Sequence, residues 1–169
     1  MNEQIVKLLK FAKYYSDSSY FLNKNIQYNN AFIYSNYIMA GLSLELYFKA
    51  LYKIDTNKEI KTHKFYTDIF KKLNIKIQQK LIDKFKLSNE DEDYAKSLEN
   101  EIYKKSGEKL TIPRTLEDNL LHWENVFIKI RYLYENFNQE IHMMFFPNIE
   151  KALKEVIVEL KTEYREVIL

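Results

Sequence analysis

Two side chains of this 169-residue chain, Arg131 and His142, could together carry out phosphate chemistry. A guanidinium stabilises negative charge on a phosphate, and an imidazole exchanges a proton with a ribose hydroxyl or a leaving oxygen. Ten residues separate the two, so on a helix they fall nearly on one face. They would lie about 16 Å apart along the helix axis. A joint site therefore requires an antiparallel dimer in which one chain supplies the arginine and the other the histidine.

A second arginine and histidine are also close in sequence. Arg114 precedes His122 with seven residues between them, and Arg114 follows Pro113 in a segment that we expect to be a loop. His122 lies nine residues before Arg131 and therefore about 180° from it around a helix. We expect His122 to be a surface or interface residue.

A glutamate, Glu45, lies between two leucines in a segment that otherwise has the composition of a protein core. Lys49 follows it by four positions, the spacing of a favourable ion pair on a half-exposed helix flank. The alternative is a pair with Arg131 on another helix, because a carboxylate that enters a helical interior needs a bonded cation. Both interpretations stay open at this point.

Three segments, in this order, resemble the HEPN superfamily of helical domains from prokaryotic defence and RNA-processing systems. They are "GLSLELYFKALY" (41–52), "THKFYTDIFKKL" (62–73) and "WENVFIKIRYLYENF" (123–137). Similar sequences contain a Leu-Glu-Leu-x-x-Lys-Ala-Leu helix, a Gly/Thr-His helix start and an Arg-Tyr-x-Tyr-Glu stretch. The resemblance covers about half of the chain.

The resemblance implies where functional residues would lie. HEPN ribonucleases are metal-independent and use an arginine followed, after four to six intervening residues, by a histidine, usually across a dimer interface. Neither arginine–histidine pair of this chain has that spacing. His63 matches the family's capping position at a helix start, and Tyr134 and Glu135 of the Arg-Tyr-x-Tyr-Glu stretch could assist at a site.

The resulting expectation is a HEPN-like binding module without catalytic activity, which binds RNA, a nucleotide or another protein in a prokaryotic stress or phage-defence system. One alternative is a toxin-like, metal-independent endoribonuclease with a divergent site formed by Arg131 and His142. Another is a phage- or element-encoded inhibitor that binds a partner protein. A lysine-rich segment at 71–86 could follow a phosphate backbone or could simply be solvated.

Apolar residues at three-to-four spacing predict two long core helices. The first covers residues 29–54, and its small central residue, Gly41, allows a neighbouring backbone to approach closely. The second begins at a near capping box formed by Thr115 and Asp118 and continues for about six turns, to residue 141.

Shorter helices accompany them. A helix over residues 3–22 has a predicted core stripe of Ile5, Leu8, Ala12, Tyr15 and Leu22. Thr62 is the expected N-cap of a short third helix, and two more are expected at 75–86 and from Ser88 to residue 105. Pro147 and Asn148 should cap a last helix whose stripe extends to Val167.

Composition limits the fold class and the compartment. Two glycines and two prolines favour long helices, so we predict one all-α domain over residues 1–169, an antiparallel up-and-down bundle of four to six helices. No cysteine is present, which excludes disulfides and thiolate metal sites and fits the cytoplasm. No apolar stretch suits a signal peptide or a membrane span.

We expect no metal and no cofactor. The three histidines are scattered, the acidic run "NEDED" lacks calcium-loop spacing, and no glycine-rich phosphate loop is present. The 26 basic and 24 acidic residues provide no strong overall field for nucleic acid. The 14 tyrosines and 11 phenylalanines, with the apolar segment 142–147, favour a homodimer.

Overall fold

The computed structural model describes residues 1–26, 31–107, 109–130 and 145–168, and all regular elements in these residues are helical. The all-α class is therefore confirmed. A π-helical turn at Phe65–Ile69 continues into a 3-10 turn at Phe70–Lys72, and another 3-10 turn spans Thr162–Tyr164. The α-helices of the described residues are α1 (Glu3–Lys24), α2 (Ala31–Thr56), α3 (Ile75–Lys84), α4 (Asn89–Ser106), α5 (Leu116–Ile130), α6 (Phe146–Leu160) and α7 (Arg165–Ile168).

Helices α1 and α2 pack against each other in antiparallel orientation. Near the end of α1, Ser19 Oγ donates to Asn36 Oδ1 at 2.5 Å, and in the middle Ser43 Oγ donates to the carbonyl of Ala12 at 2.9 Å. All four residues are buried. Small residues at the contact let the two backbones approach, so these hydroxyls reach partners on the facing helix.

The buried face of α1 differs from the predicted stripe. Ile5 and Ala12 are buried as expected, but Leu9 and two serines fill the face, whereas Leu8 and Tyr15 are only half-buried. The prediction counted large apolar residues and passed over serine. The face of α1 that contacts α2 includes the small residues Ala12 and Ser19, and both form hydrogen bonds with α2.

Helix α2 is the centre of the fold, since α1, α5, α6 and the π turn pack around it. Ala50, Leu44 and Glu45 are all buried, although successive members of this set lie about 100–120° apart around the helix axis. A helix that is buried over more than half of its circumference loses the one-sided apolar pattern of a surface helix. The long first core helix is thus present, and its buried surface is wider than a single stripe.

A ring from α5 packs directly on the central glycine of α2. A Cβ built on Gly41 would lie 2.3 Å from the nearest ring carbon of Phe127. The expectation of a close approach at this glycine is met by an aromatic side chain rather than by a neighbouring backbone. Phe127 is itself fully buried and also lies against the ring of Phe65, with centroids 6.5 Å apart.

The predicted short third helix has another form. Thr62 does not cap it; its hydroxyl donates to Asp68 Oδ2 at 2.8 Å and accepts from the amide of Lys64 at 3.1 Å. The chain then enters the π turn and the 3-10 turn, without a regular α-helix. Phe65 and Ile69 are fully buried. The apolar spacing therefore identified these core residues correctly, but it did not predict the type of helix.

The last helix ends earlier than predicted. Helix α6 stops at Leu160, and the chain turns before α7, so a continuous stripe to Val167 is wrong. Tyr164 is buried in the turn, and its hydroxyl accepts from the amide of Asn2 at 3.2 Å. This contact joins the two ends of the chain and accounts for the break.

The start of α6 also differs from the prediction. Pro147 lies in the first turn as expected, but the N-cap position is Phe145, whose φ is 59°. The side-chain amide of Asn148 does not cap the helix. It donates to the carbonyl of Lys86 at 2.8 Å and to Asp91 Oδ2 at 3.1 Å, and so ties α6 to the first turn of α4 and to the residues before it.

Helix α5 begins as predicted, with the amide of Asp118 donating to Thr115 Oγ1 at 3.1 Å. Its described part ends at Ile130. The continuation to residue 141 lies outside the described residues, as do Arg131, Tyr134, Glu135 and His142. The candidate catalytic pair and the proposed contact between Glu45 and Arg131 stay predictions for this reason.

Candidate functional site

The buried glutamate of α2 has a partner for each of its carboxylate oxygens. Glu45 is 3 % exposed, Lys49 Nζ lies 2.6 Å from its Oε1, and His63 Nδ1 lies 2.9 Å from its Oε2. The pair with Lys49 forms at the predicted spacing, but Glu45 is buried and not on a half-exposed flank. A charged group at this depth is stable because both oxygens are bonded.

His63 binds Glu45 from the loop between α2 and the π turn. Its side chain is 55 % exposed, and it does not cap the following turn, in contrast to the position that the resemblance implies. A carboxylate oxygen accepts hydrogen bonds, so Oε2 accepts and Nδ1 donates in this contact. The other ring nitrogen, Nε2, has no hydrogen-bond partner within the described part of the chain.

A second buried glutamate, Glu124 on α5, caps the π turn from a distance in sequence. Its Oε2 accepts from the amides of Tyr66 at 2.8 Å and Thr67 at 3.1 Å, and its Oε1 accepts from Thr67 Oγ1 at 3.0 Å. A carboxylate here satisfies amides that have no partner at a helix start and interacts favourably with the helix dipole. Sequence reasoning gave Glu124 no role, although a glutamate beside Trp123 in a core helix is the same signal that singled out Glu45.

A third buried glutamate, Glu150 on α6, binds a lysine and a tyrosine. It is 2 % exposed, with Lys154 Nζ 2.7 Å from Oε1 and the Tyr20 hydroxyl donating to Oε2 at 3.0 Å. The ammonium of Lys154 also lies 5.8 Å from the centroid of the Tyr47 ring. Sequence reasoning also missed this cluster, because its members come from α1, α2 and α6.

The cluster around Glu150 gives a prediction for alkaline pH. Burial, together with the charge of Glu150, raises the pKa of Tyr20 well above its ordinary value of 10.0. The folded chain keeps a proton that the unfolded chain releases, so this stabilisation is complete below about pH 10 and is lost as the pH rises further. We expect unfolding free energies from urea denaturation to fall more steeply above about pH 10 for the unmodified chain than for Tyr20→Phe. Equal slopes would contradict the assigned contact.

An open groove runs along the outer face of α6, with a volume of about 680 Å³. Lys84 in the groove is neutralised by Glu159 at 2.5 Å, and Lys154 by Glu150. The exposed cations Lys151 and Arg165 have no ion-pair partner among the described residues. The groove is lined by Tyr20, Lys84, Pro147, Glu150, Lys151, Lys154, Glu155, Val158, Glu159 and Arg165.

The groove combines an aromatic wall with a small net positive charge, because four basic side chains and three carboxylates line it. The ring of Tyr20 lies 5.8 Å from that of Phe146, and its hydroxyl is fixed by Glu150. A fixed ring provides a stacking surface for a base, and two free cations attract phosphate oxygens. Volumes of this size are typical of small-ligand sites, which span about 300–1,000 Å³. The arrangement therefore suits an anionic ligand that carries a planar ring.

The described ranges contain no group of three or more histidine, aspartate and glutamate side chains placed to hold a metal ion. None of the helices described is both long enough and apolar enough to cross a membrane.

Comparison with known proteins gives no family for the chain. No protein-family model, no curated protein and no solved structure matches it.

Proposed function

We propose that the chain is a HEPN-like binding module that acts by holding a ligand rather than by catalysis. The three segments that resemble the superfamily support this: one lies on α2, and the described part of another, residues 123–130, lies on α5, which packs against α2. The proposed architecture is an antiparallel up-and-down bundle of four to six helices around two long central ones. Glu45 belongs to the polar core of this bundle and holds Lys49 and His63 in place.

The proposed ligand is RNA or a nucleotide, bound in the groove along α6. The observation that carries this proposal is the combination of Lys151 and Arg165, exposed and without ion-pair partners in the described residues, with the fixed ring of Tyr20. Phosphate groups would contact the two cations, and a base would stack on the ring. The two cations lie on α6 and α7, on either side of the turn at Thr162–Tyr164.

We propose a prokaryotic stress or phage-defence setting, with the chain acting as a homodimer. The setting follows from the resemblance. Exposed aromatic residues on the outer side of α1, among them Phe11, Tyr14 and Phe21, support a second copy as a partner.

Removing the two groove cations tests the ligand proposal. We expect Lys151→Ala with Arg165→Ala to weaken the binding of a fluorescein-labelled single-stranded RNA by about tenfold, because two charge-assisted phosphate contacts are lost. Fluorescence anisotropy at fixed salt measures the affinity. The matched control is Lys104→Ala with Lys109→Ala, two exposed lysines at and beyond the end of α4, which changes the net charge by the same amount.

The same samples test the absence of catalysis. RNA recovered after incubation should be intact with and without EDTA. Cleavage that resists EDTA and disappears in Arg131→Ala or His142→Ala would contradict the non-catalytic proposal and favour the endoribonuclease alternative. Equal affinity of the groove variant and the control would contradict the proposed binding site.

A further inference from the structure

A histidine held by a buried carboxylate lies at the surface of this protein, apart from the α6 groove. His63 Nδ1 is 2.9 Å from Glu45 Oε2, and Glu45 is buried while the imidazole is more than half exposed. In the neutral ring whose Nδ1 donates to the carboxylate, the lone pair is on Nε2. This is the ring state in which a histidine acts as a base or as a nucleophile.

The contact is more than the structure of the core requires. Lys49 lies 2.6 Å from Glu45 Oε1, so the buried carboxylate already has one cationic partner on its own helix. The half-exposed ring of His63 adds little packing. What the contact does is fix the tautomer and orientation of the ring, and place a negative charge beside it. A carboxylate in this position stabilises the positive charge that develops on an imidazole when Nε2 forms a bond.

The surroundings indicate which chemistry the ring performs. The neighbouring hydroxyl, Thr62 Oγ1, donates to Asp68 at 2.8 Å and is not positioned as a nucleophile for His63 to activate. Nothing in the described residues points to a metal at the ring. Lys61 and Lys64 are both exposed and lie within two residues of His63. Positive charge in this loop favours an incoming group that carries negative charge, such as a phosphoryl group.

We propose that His63 is a phosphoryl-accepting residue whose donor is an acyl phosphate. The Nε2 lone pair forms a bond to phosphorus, the bond between phosphorus and the acyl oxygen breaks, and a carboxylate leaves with that electron pair. The proton on Nδ1 stays on the ring, where Glu45 balances the charge. No oxidation or reduction takes place, and no other co-reactant is needed. This site is independent of the proposed binding of RNA.

Acetyl phosphate is the probe for this reaction. We expect the full chain to gain one phosphoryl group, seen as an 80 Da increase by intact-protein mass spectrometry. The bond should be labile in acid and stable in base, as expected for a phosphorus–nitrogen bond, and peptide mapping at neutral pH should place it at His63. The initial rate should exceed that of N-acetylhistidine at the same concentration by about tenfold, since the carboxylate supplies charge stabilisation of about 1.4 kcal/mol.

Three variants complete the experiment. His63→Gln should abolish incorporation, and His122→Gln should leave it unchanged. Glu45→Gln should keep the site but lower the rate by about tenfold, with circular dichroism as the check on folding. Incorporation at another residue, or a His63 rate no higher than that of N-acetylhistidine, would overturn the proposal. If Glu45→Gln is misfolded, two other results still test the proposal. They are the rate of His63 relative to N-acetylhistidine and the loss of incorporation in His63→Gln.

Discussion

Replacing Glu124 by alanine should lower the free energy of unfolding by about 3–5 kcal/mol. The substitution removes three hydrogen bonds to a carboxylate and leaves the amides of Tyr66 and Thr67 without partners, the first of them buried. It also leaves a cavity between α5 and the π turn. Urea denaturation followed by circular dichroism measures the effect.

Two controls separate the cap from general effects of the substitution. Glu117→Ala removes an exposed glutamate from the same helix and should change stability by less than about 0.5 kcal/mol. Glu124→Gln keeps an acceptor oxygen and should lose clearly less than the alanine variant. If Glu124→Ala is no less stable than Glu117→Ala, the carboxylate does not hold the π turn.

Truncating Phe127 to alanine should also cost about 3–5 kcal/mol, because its fully buried ring fills the space over Gly41 and contacts Phe65. Adding a methyl group to Gly41 should cost about 1–3 kcal/mol through overpacking, in spite of the better helix propensity of alanine. Denaturant melts of the two variants measure both effects.

The contact between these two residues predicts that their effects do not add. Phe127→Leu makes room over α2, so Gly41→Ala should cost less in that background than in the unmodified chain. We expect a coupling free energy of at least about 0.5 kcal/mol. Additive effects would show that the ring does not rest on the glycine. Leu42→Ala, at a half-buried neighbouring position, is a control for changes elsewhere on α2.

The parts of the fold that sequence predicted correctly depend on local signals. The start of α4 at Ser88, where the structure has a capping box with Asp91, and the Thr115 start of α5 are each decided within a few residues. Helix type in the 65–72 segment was not decided locally. There, the start of the turn is fixed by Glu124, which is more than fifty residues away in sequence.

The same distinction between local and long-range contacts applies to the candidate site. Lys49 could be assigned to Glu45 because four residues on a helix determine their distance. The contact of His63 with Glu45 could not be predicted in this way, since the ring reaches Glu45 only after the chain has left α2 and turned back. Glu150 meets Tyr20 from the opposite end of the chain, 130 residues apart. Contacts of this kind depend on how helices pack, which apolar periodicity does not specify.

The salt dependence of RNA binding is the most direct test of the claim that the α6 groove holds a phosphate backbone. For single-stranded RNA, each phosphate neutralised by a protein cation contributes about −0.7 to the slope of log affinity against log salt. The account predicts that Lys151→Ala with Arg165→Ala makes this slope shallower by about 1.4, whereas Lys104→Ala with Lys109→Ala leaves it unchanged. A slope that is the same for both double variants would contradict it.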